Sequence, residues 1–166
     1  MIVISDTSPI NYLILIECVD VLPELYGRVV IPEGVFEELQ RQSTPEVVRE
    51  WIAAIPSWLE VRRALVPAAP ELEALGIGER QAICLAQELK AAAIIIDEER
   101  ERKEARRRGL SVIGLLGVLR DAAERDLVQL EPALSRLQKT NFRVSDKLIE
   151  SLLLREPERK NSKLSP

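Results

Sequence analysis

Met1-Ile-Val-Ile-Ser-Asp-Thr-Ser8 is the stretch on which the fold turns. Three consecutive β-branched residues bounded by Ser-Asp-Thr-Ser-Pro read as a short buried strand rather than an amphipathic helix. Asp6 stands where that strand stops. In an open parallel sheet the ligand crevice lies beyond the carboxyl ends of the strands, which makes Asp6 a candidate site residue. The competing reading is structural. Asp, Ser and Pro all favour helix starts, so Asp6 would then cap the helix that opens near Ser8 and Pro9.

The strand signal recurs along the chain. Residues 28–32 (Arg-Val-Val-Ile-Pro) form a second short strand that its proline ends, and residues 58–62 alternate like an exposed edge strand. Residues 91–96 (Ala-Ala-Ala-Ile-Ile-Ile) are the most hydrophobic strand and run into Asp97 as the first runs into Asp6; residues 111–114 make another. Helical patterns fill the intervals at 9–16, 19–26, 33–42, 45–54, 76–89, 98–108, 115–126, 131–139 and 145–154. Gly27 and Gly109 stop two of these helices and Ser145 caps the last. Residues 66–70 form an Ala-Pro-rich loop too short to separate two cores. Strands alternating with helices, with a continuously apolar strand among them, predict an α/β, three-layer α/β/α fold around a central parallel sheet. A single domain over residues 1–154 is expected, followed by a polar, flexible tail at 155–166.

Composition narrows the chemistry. The 166 residues, 46% of them apolar, suffice for one domain with a substantial core. No apolar run approaches the roughly 20 residues that cross a bilayer, and the N-terminus lacks the features of a signal peptide, so a cytoplasmic protein with no membrane partner is expected. Cys18 and Cys84 are too far apart in sequence for a metal pair or a redox motif and read as small core residues. Histidine is absent, which removes the commonest general base and transition-metal ligand. Hydrolytic chemistry here must run on carboxylates, hydroxyls or lysine. With 27 acidic against 23 basic residues, the chain lacks the basic footprint of a dedicated DNA-binding module, so nucleic acid would need a local patch.

The acids are the remaining candidates. Hard divalent cations such as Mg²⁺ or Mn²⁺ take oxygen ligands, and three or four clustered carboxylates suit one or two of them. Asp6, Glu38, Glu79 and Asp97 are the candidates, with Glu98 and Glu37 as nearby substitutes. Each also has a plain structural reading: Glu38 on a solvated helix face, Glu79 complementing a helix dipole, Asp97 capping the charged helix behind it. The joint arrangement favours a site, because two acids end two apolar strands and a third opens the helix leading into one of them. That charged helix, residues 98–108, carries six basic and four acidic residues and by composition alone reads as a solvated face.

Five blocks, taken together, resemble a known family: Val3-Ile-Ser-Asp-Thr-Ser-Pro-Ile10, Ile31-Pro-Glu-Gly-Val-Phe-Glu-Glu-Leu39, Leu75-Gly-Ile-Gly-Glu-Arg-Gln-Ala-Ile83, Ile94-Ile-Ile-Asp-Glu98 and Val112-Ile-Gly-Leu-Leu-Gly-Val-Leu119. Their order and spacing resemble the PIN-domain proteins, particularly the branch related to VapC toxins. The resemblance spans residues 2–154. It implies a metal-dependent ribonuclease in which Asp6, Glu38, Glu79 and Asp97 surround Mg²⁺ or Mn²⁺, with Glu98 an alternative to Asp97 as the last ligand. Many relatives carry Thr-Asn-Asp where this chain has Ile96-Asp-Glu98, and Leu115 stands where they often place threonine. Thr7, Ser8, Arg80 and Arg100 are the expected substrate contacts, with Arg102, Lys103, Arg106, Arg107 and Arg108 as further phosphate candidates. The resemblance also implies an RNA substrate, a small antitoxin partner and a homodimer.

A catalytically silent PIN-fold binding module, for nucleic acid or protein, is the alternative reading. A phosphoacceptor domain fits less well. Ser8 occupies the position where haloacid-dehalogenase-type phosphotransferases need a second Asp, and the acidic pair and lysine of a receiver domain are missing.

Overall fold

A computed structural model describes residues 1–65, 67 and 69–162. Residues 66 and 68 of the expected loop, and residues 163–166 of the expected tail, lie outside the described residues.

Each apolar run of the sequence becomes a strand: β1 (Ile2–Ser5), β2 (Arg28–Pro32), β3 (Leu59–Arg62), β4 (Ala93–Ile95) and β5 (Val112–Ile113). All pair in parallel in the order β3-β2-β1-β4-β5. β3 lies at one edge, as its alternating pattern predicted. The helices are α1 (Thr7–Leu15), α2 (Val21–Tyr26), α3 (Glu33–Leu39), α4 (Glu46–Ala53), α5 (Ile77–Glu88), α6 (Glu99–Arg107), α7 (Leu115–Glu124), α8 (Leu130–Gln138) and α9 (Asp146–Ser162). A 3₁₀ turn at Pro70–Leu72 precedes α5. Gly27 and Gly109 follow α2 and α6 with φ of 70° and 77°, the left-handed conformation that ends a helix without Cβ strain. Ser145 caps α9 through a 3.2 Å bond from the Leu148 amide to its Oγ. α9 then runs on to Ser162, past the expected start of the polar tail.

Alternate residues of each strand feed two cores, which is what makes the molecule three-layered. Val3, Val29, Ile31 and Ile95 join the core formed with α1, α2, α7 and α8. Ile4, Val30, Ile94 and Ile96 join the one formed with α5 and α6. The fold is therefore the expected α/β sandwich.

The topology also places the site. From β1 the chain steps outward to β2 and β3, then returns across the sheet to β4 on the other side of β1. Successive connections thus diverge between β1 and β4, leaving a crevice at the carboxyl ends of that pair. Ser5 lies in register with Ile95, so Asp6 and the residues after Ile95 flank this crevice.

Candidate active site

Asp6 follows β1 directly and is 4% exposed. It occupies the cap position of α1, yet its side chain makes no capping hydrogen bond. The purely structural role considered for it is thus unfilled, and Oδ1 is buried without a partner.

Glu79 arrives from the opposite layer. Gly76 starts α5, and its amide donates to Glu79 Oε2 at 2.9 Å, fixing the side chain at the first turn. Glu101, in the first turn of α6, is 0% exposed, and neither of its carboxylate oxygens has a donor among the described residues. One oxygen from each of Asp6, Glu79 and Glu101 lies within 4.8 Å of the others.

Glu38 stands beside this group. The Thr7 hydroxyl donates to its Oε2, and the Gly78 amide donates to its Oε1 at 3.2 Å. A Cβ at position 78 would meet Glu38 Oε1 at 2.7 Å, so only glycine lets α5 approach the carboxylate this closely. Thr7 is therefore a positioning residue for Glu38 rather than a surface hydroxyl. Replacing it with Val should lower any Mn²⁺-dependent RNA cleavage by about 10–100-fold, the usual cost of losing a supporting partner, whereas Ser should restore it. Cleavage rates of the three proteins check this; equal rates would show that Glu38 is held by Gly78 alone.

Asp97 has another task. Its Oδ1 accepts the Leu115 amide at 2.9 Å, so it ties the end of β4 to the start of α7, while its Oδ2 is buried without a partner among the described residues; Glu98 is exposed. Strand adjacency is as inferred, but Glu101 is the acid that converges on Asp6 and Glu79, not Asp97 or Glu98. The cause is geometric: α6 starts at Glu99, which turns residue 101 back over the strand ends. Asp97→Asn should retain both stability and any Mn²⁺-induced rise in melting temperature, because the amide oxygen still accepts. Asp97→Ala should cost about 1 kcal/mol, as for other lost caps, in urea unfolding. Loss of the Mn²⁺ response in a stable Asp97→Asn protein would instead make Asp97 a ligand.

The basic candidates divide. Arg100 is exposed and Arg80 is half-buried. Arg107 and Arg108 pair with Glu104 on their own helix. Arg102 turns inward, its Nε buried without a partner. Ser8 faces a separate cleft that also contains Asp97 and Arg102.

Electrostatics follow from the crowding. Burial pushes the Asp6 carboxyl up to about 7, and the charges of Glu79 and Glu38 add to this; the Thr7 amide and the neighbouring Glu101 carboxyl pull it back. Burial, then the Asp6 and Glu79 charges, hold Glu101 far above the ordinary carboxyl range. Asp97 is raised by burial too, against the Leu115 amide and Arg102. Two buried acids that cannot both ionise must share a proton or a cation. The orphaned oxygens of Asp6 and Glu101 and an all-oxygen donor set fit a hard divalent ion. Asp6, Glu79 and Glu101 would hold it. Such an ion supplies a water of lowered pKa and neutralises charge on a phosphate.

Sequence reasoning missed Glu101 because it read α6 as a solvated face. The available signal was Ala105, the lone apolar residue of that helix: it marks the inward side, and position 101 lies one turn before it on the same face.

Among curated proteins no sequence matches this chain. A PilT N-terminus domain protein, SSO1118, from the hyperthermophilic archaeon Sulfolobus solfataricus P2 shares the fold. It has a TM-score of 0.50 over 87% of this chain and 100% of its own, at 16% identity. The profile of the DUF3368 family, described as a PIN domain, matches residues 2–157. That match spans nearly the whole chain, and the chain belongs to the PIN-domain family.

Proposed function

We propose that the protein is a divalent-metal-dependent endoribonuclease that hydrolyses phosphodiester bonds with Mg²⁺ or Mn²⁺. PIN domains are typically nucleases. The observation that carries the reading is the convergence of Asp6, Glu79 and Glu101 at the β1–β4 crevice, with buried oxygens of Asp6 and Glu101 that no donor among the described residues satisfies. In this reading those three acids hold the ion. Glu38, held by Thr7 and Gly78, orients the attacking water or a second ion, and the absence of histidine is no obstacle. Arg80, Arg100 and Ser8 remain candidate substrate contacts. A role as the toxin of a VapBC-like pair, with a small antitoxin and a homodimeric state in the cytoplasm, extends the proposal and rests on the family resemblance. Among the described residues no helix is long and apolar enough to cross a membrane.

The test is incubation of the pure protein with mixed RNA in Mn²⁺, in Mg²⁺ or in EDTA, beside an Asp6→Asn control. Cleavage that needs the ion and Asp6 supports the proposal. No cleavage by a protein that binds Mn²⁺ would favour the silent binding module.

A further inference from the structure

A cleft of about 730 Å³ opens beside the acids, between α1, the β5–α7 junction and the α8–α9 segment. Ser8, two residues after Asp6, and Asp97, at the end of β4, form the wall on the acid side. The far wall is aromatic. Tyr12 and Phe142 meet edge-to-face with ring centroids 5.0 Å apart, and the Tyr12 hydroxyl donates to Asn141 Oδ1 at 2.7 Å. Arg102, Arg120 and Arg143 supply guanidinium groups.

These cations are unequal. Arg120 is engaged by Asp121 at 3.2 Å and Glu124 at 3.9 Å. Arg143 is exposed and forms no ion pair among the described residues, whereas Arg102 sits beside Asp97 with its Nε buried, so Arg143 is the guanidinium open to a ligand in the cleft. Beside them α7 begins, with Gly114 and Gly117 in the lining and the Leu115 amide held by Asp97.

From this juxtaposition we infer that the cleft is a subsite for one or two unpaired nucleotides of a single-stranded nucleic acid, the base on Tyr12–Phe142 and the phosphate at Arg143. Ring faces and guanidinium planes are what bases stack on, and free guanidinium groups are what phosphates bind. The size excludes a duplex, whose bases are already stacked, and suits a ligand of nucleotide dimensions. An acidic peptide is disfavoured because Asp97, Glu98 and Asp121 balance the three arginines, leaving no net positive field without a stacking term. The inference rests on the nuclease reading for its biological role and is independent of it for binding.

The experiment is fluorescence anisotropy of a labelled, mixed-sequence single-stranded RNA in EDTA, so that binding is measured without cleavage. Phe142→Ala should weaken binding about tenfold, the effect of losing a stacking platform, and Phe142→Tyr should retain it. Arg143→Gln, at an exposed position with no structural bond, should lower the slope of log affinity against log salt by about 0.7, one single-strand phosphate contact. Melting curves confirm that each variant folds, and Arg143→Gln keeps the test valid if Phe142→Ala loosens α9. Unchanged binding by both variants, equal competition by duplex RNA, or displacement by polyglutamate would overturn the subsite. Cleft-dependent binding without Mn²⁺-dependent cleavage would leave the subsite and remove the nuclease reading; cleavage with cleft-independent binding would do the reverse.

Discussion

Glu101→Gln should make the metal-free protein more stable at pH 7 and at the same time remove its response to Mn²⁺. The side chain is fully buried with two unsatisfied oxygens, and burial together with the Asp6 and Glu79 charges raises its pKa. Because the folded-state pKa lies above the unfolded one, folding takes up a proton. Stability is therefore greatest below the unfolded pKa near 4 and declines as pH rises toward the folded value. Glutamine has the shape of the protonated acid and pays no such cost. The variant should gain about 2 kcal/mol at pH 7, roughly 4–8 °C in melting temperature, and lose the gain near pH 4. Differential scanning calorimetry in EDTA from pH 4 to 8 reads this. A Gln variant less stable than the parent at pH 7 would mean that the carboxylate accepts a bond the fold needs. With Mn²⁺ added the order should reverse, since the parent gains the binding free energy and the variant does not.

Mn²⁺ itself should stabilise the parent by mass action, about 2.7 kcal/mol at a hundredfold excess over its dissociation constant, and the effect should depend on pH. A ligating carboxylate must lose its proton, and burial pushes Asp6 up to about 7 and holds Glu101 higher still, so the gain should grow as pH rises and fade as pH falls through 7 toward 5. Asp6→Asn should abolish the gain at every pH, leave the metal-free protein at least as stable as the parent, and reduce RNA cleavage by more than the roughly 10–100-fold that losing a supporting partner costs. Asp6→Ala should behave similarly, because no capping bond is there to lose. If instead Ala destabilises the fold by about 1 kcal/mol while Asn is silent in every assay, Asp6 is a cap and the metal reading fails.

The five strands, the stops at Gly27 and Gly109, the Ser145 cap and the places of Asp6 and Glu79 were all legible in the chain, because each depends on a few neighbouring residues. An apolar β-branched run has to be buried, and a glutamate three residues past a helix start lies beside free amides whatever the rest of the protein does. The last acid was not legible in this way. Asp97 repeats the strand-end signature of Asp6, yet it is spent on the Leu115 amide, eighteen residues on, while Glu101 is carried into the group by the direction in which α6 leaves β4.

The alternation of strands and helices, and hence a parallel α/β sandwich with acids at strand ends, is written in short stretches of the chain. Packing of the layers made β1 and β4 neighbours, brought α5 close enough for Gly78 to touch Glu38, and joined Glu101 to Asp6 and Glu79. It also decided that Tyr12 and Phe142, 130 residues apart, form one wall of a cleft. Propensity and burial pattern act through adjacent residues and are written locally. Strand order, helix approach and the charge state of a crowded carboxylate arise from groups distant in the chain, and become defined only when the layers pack.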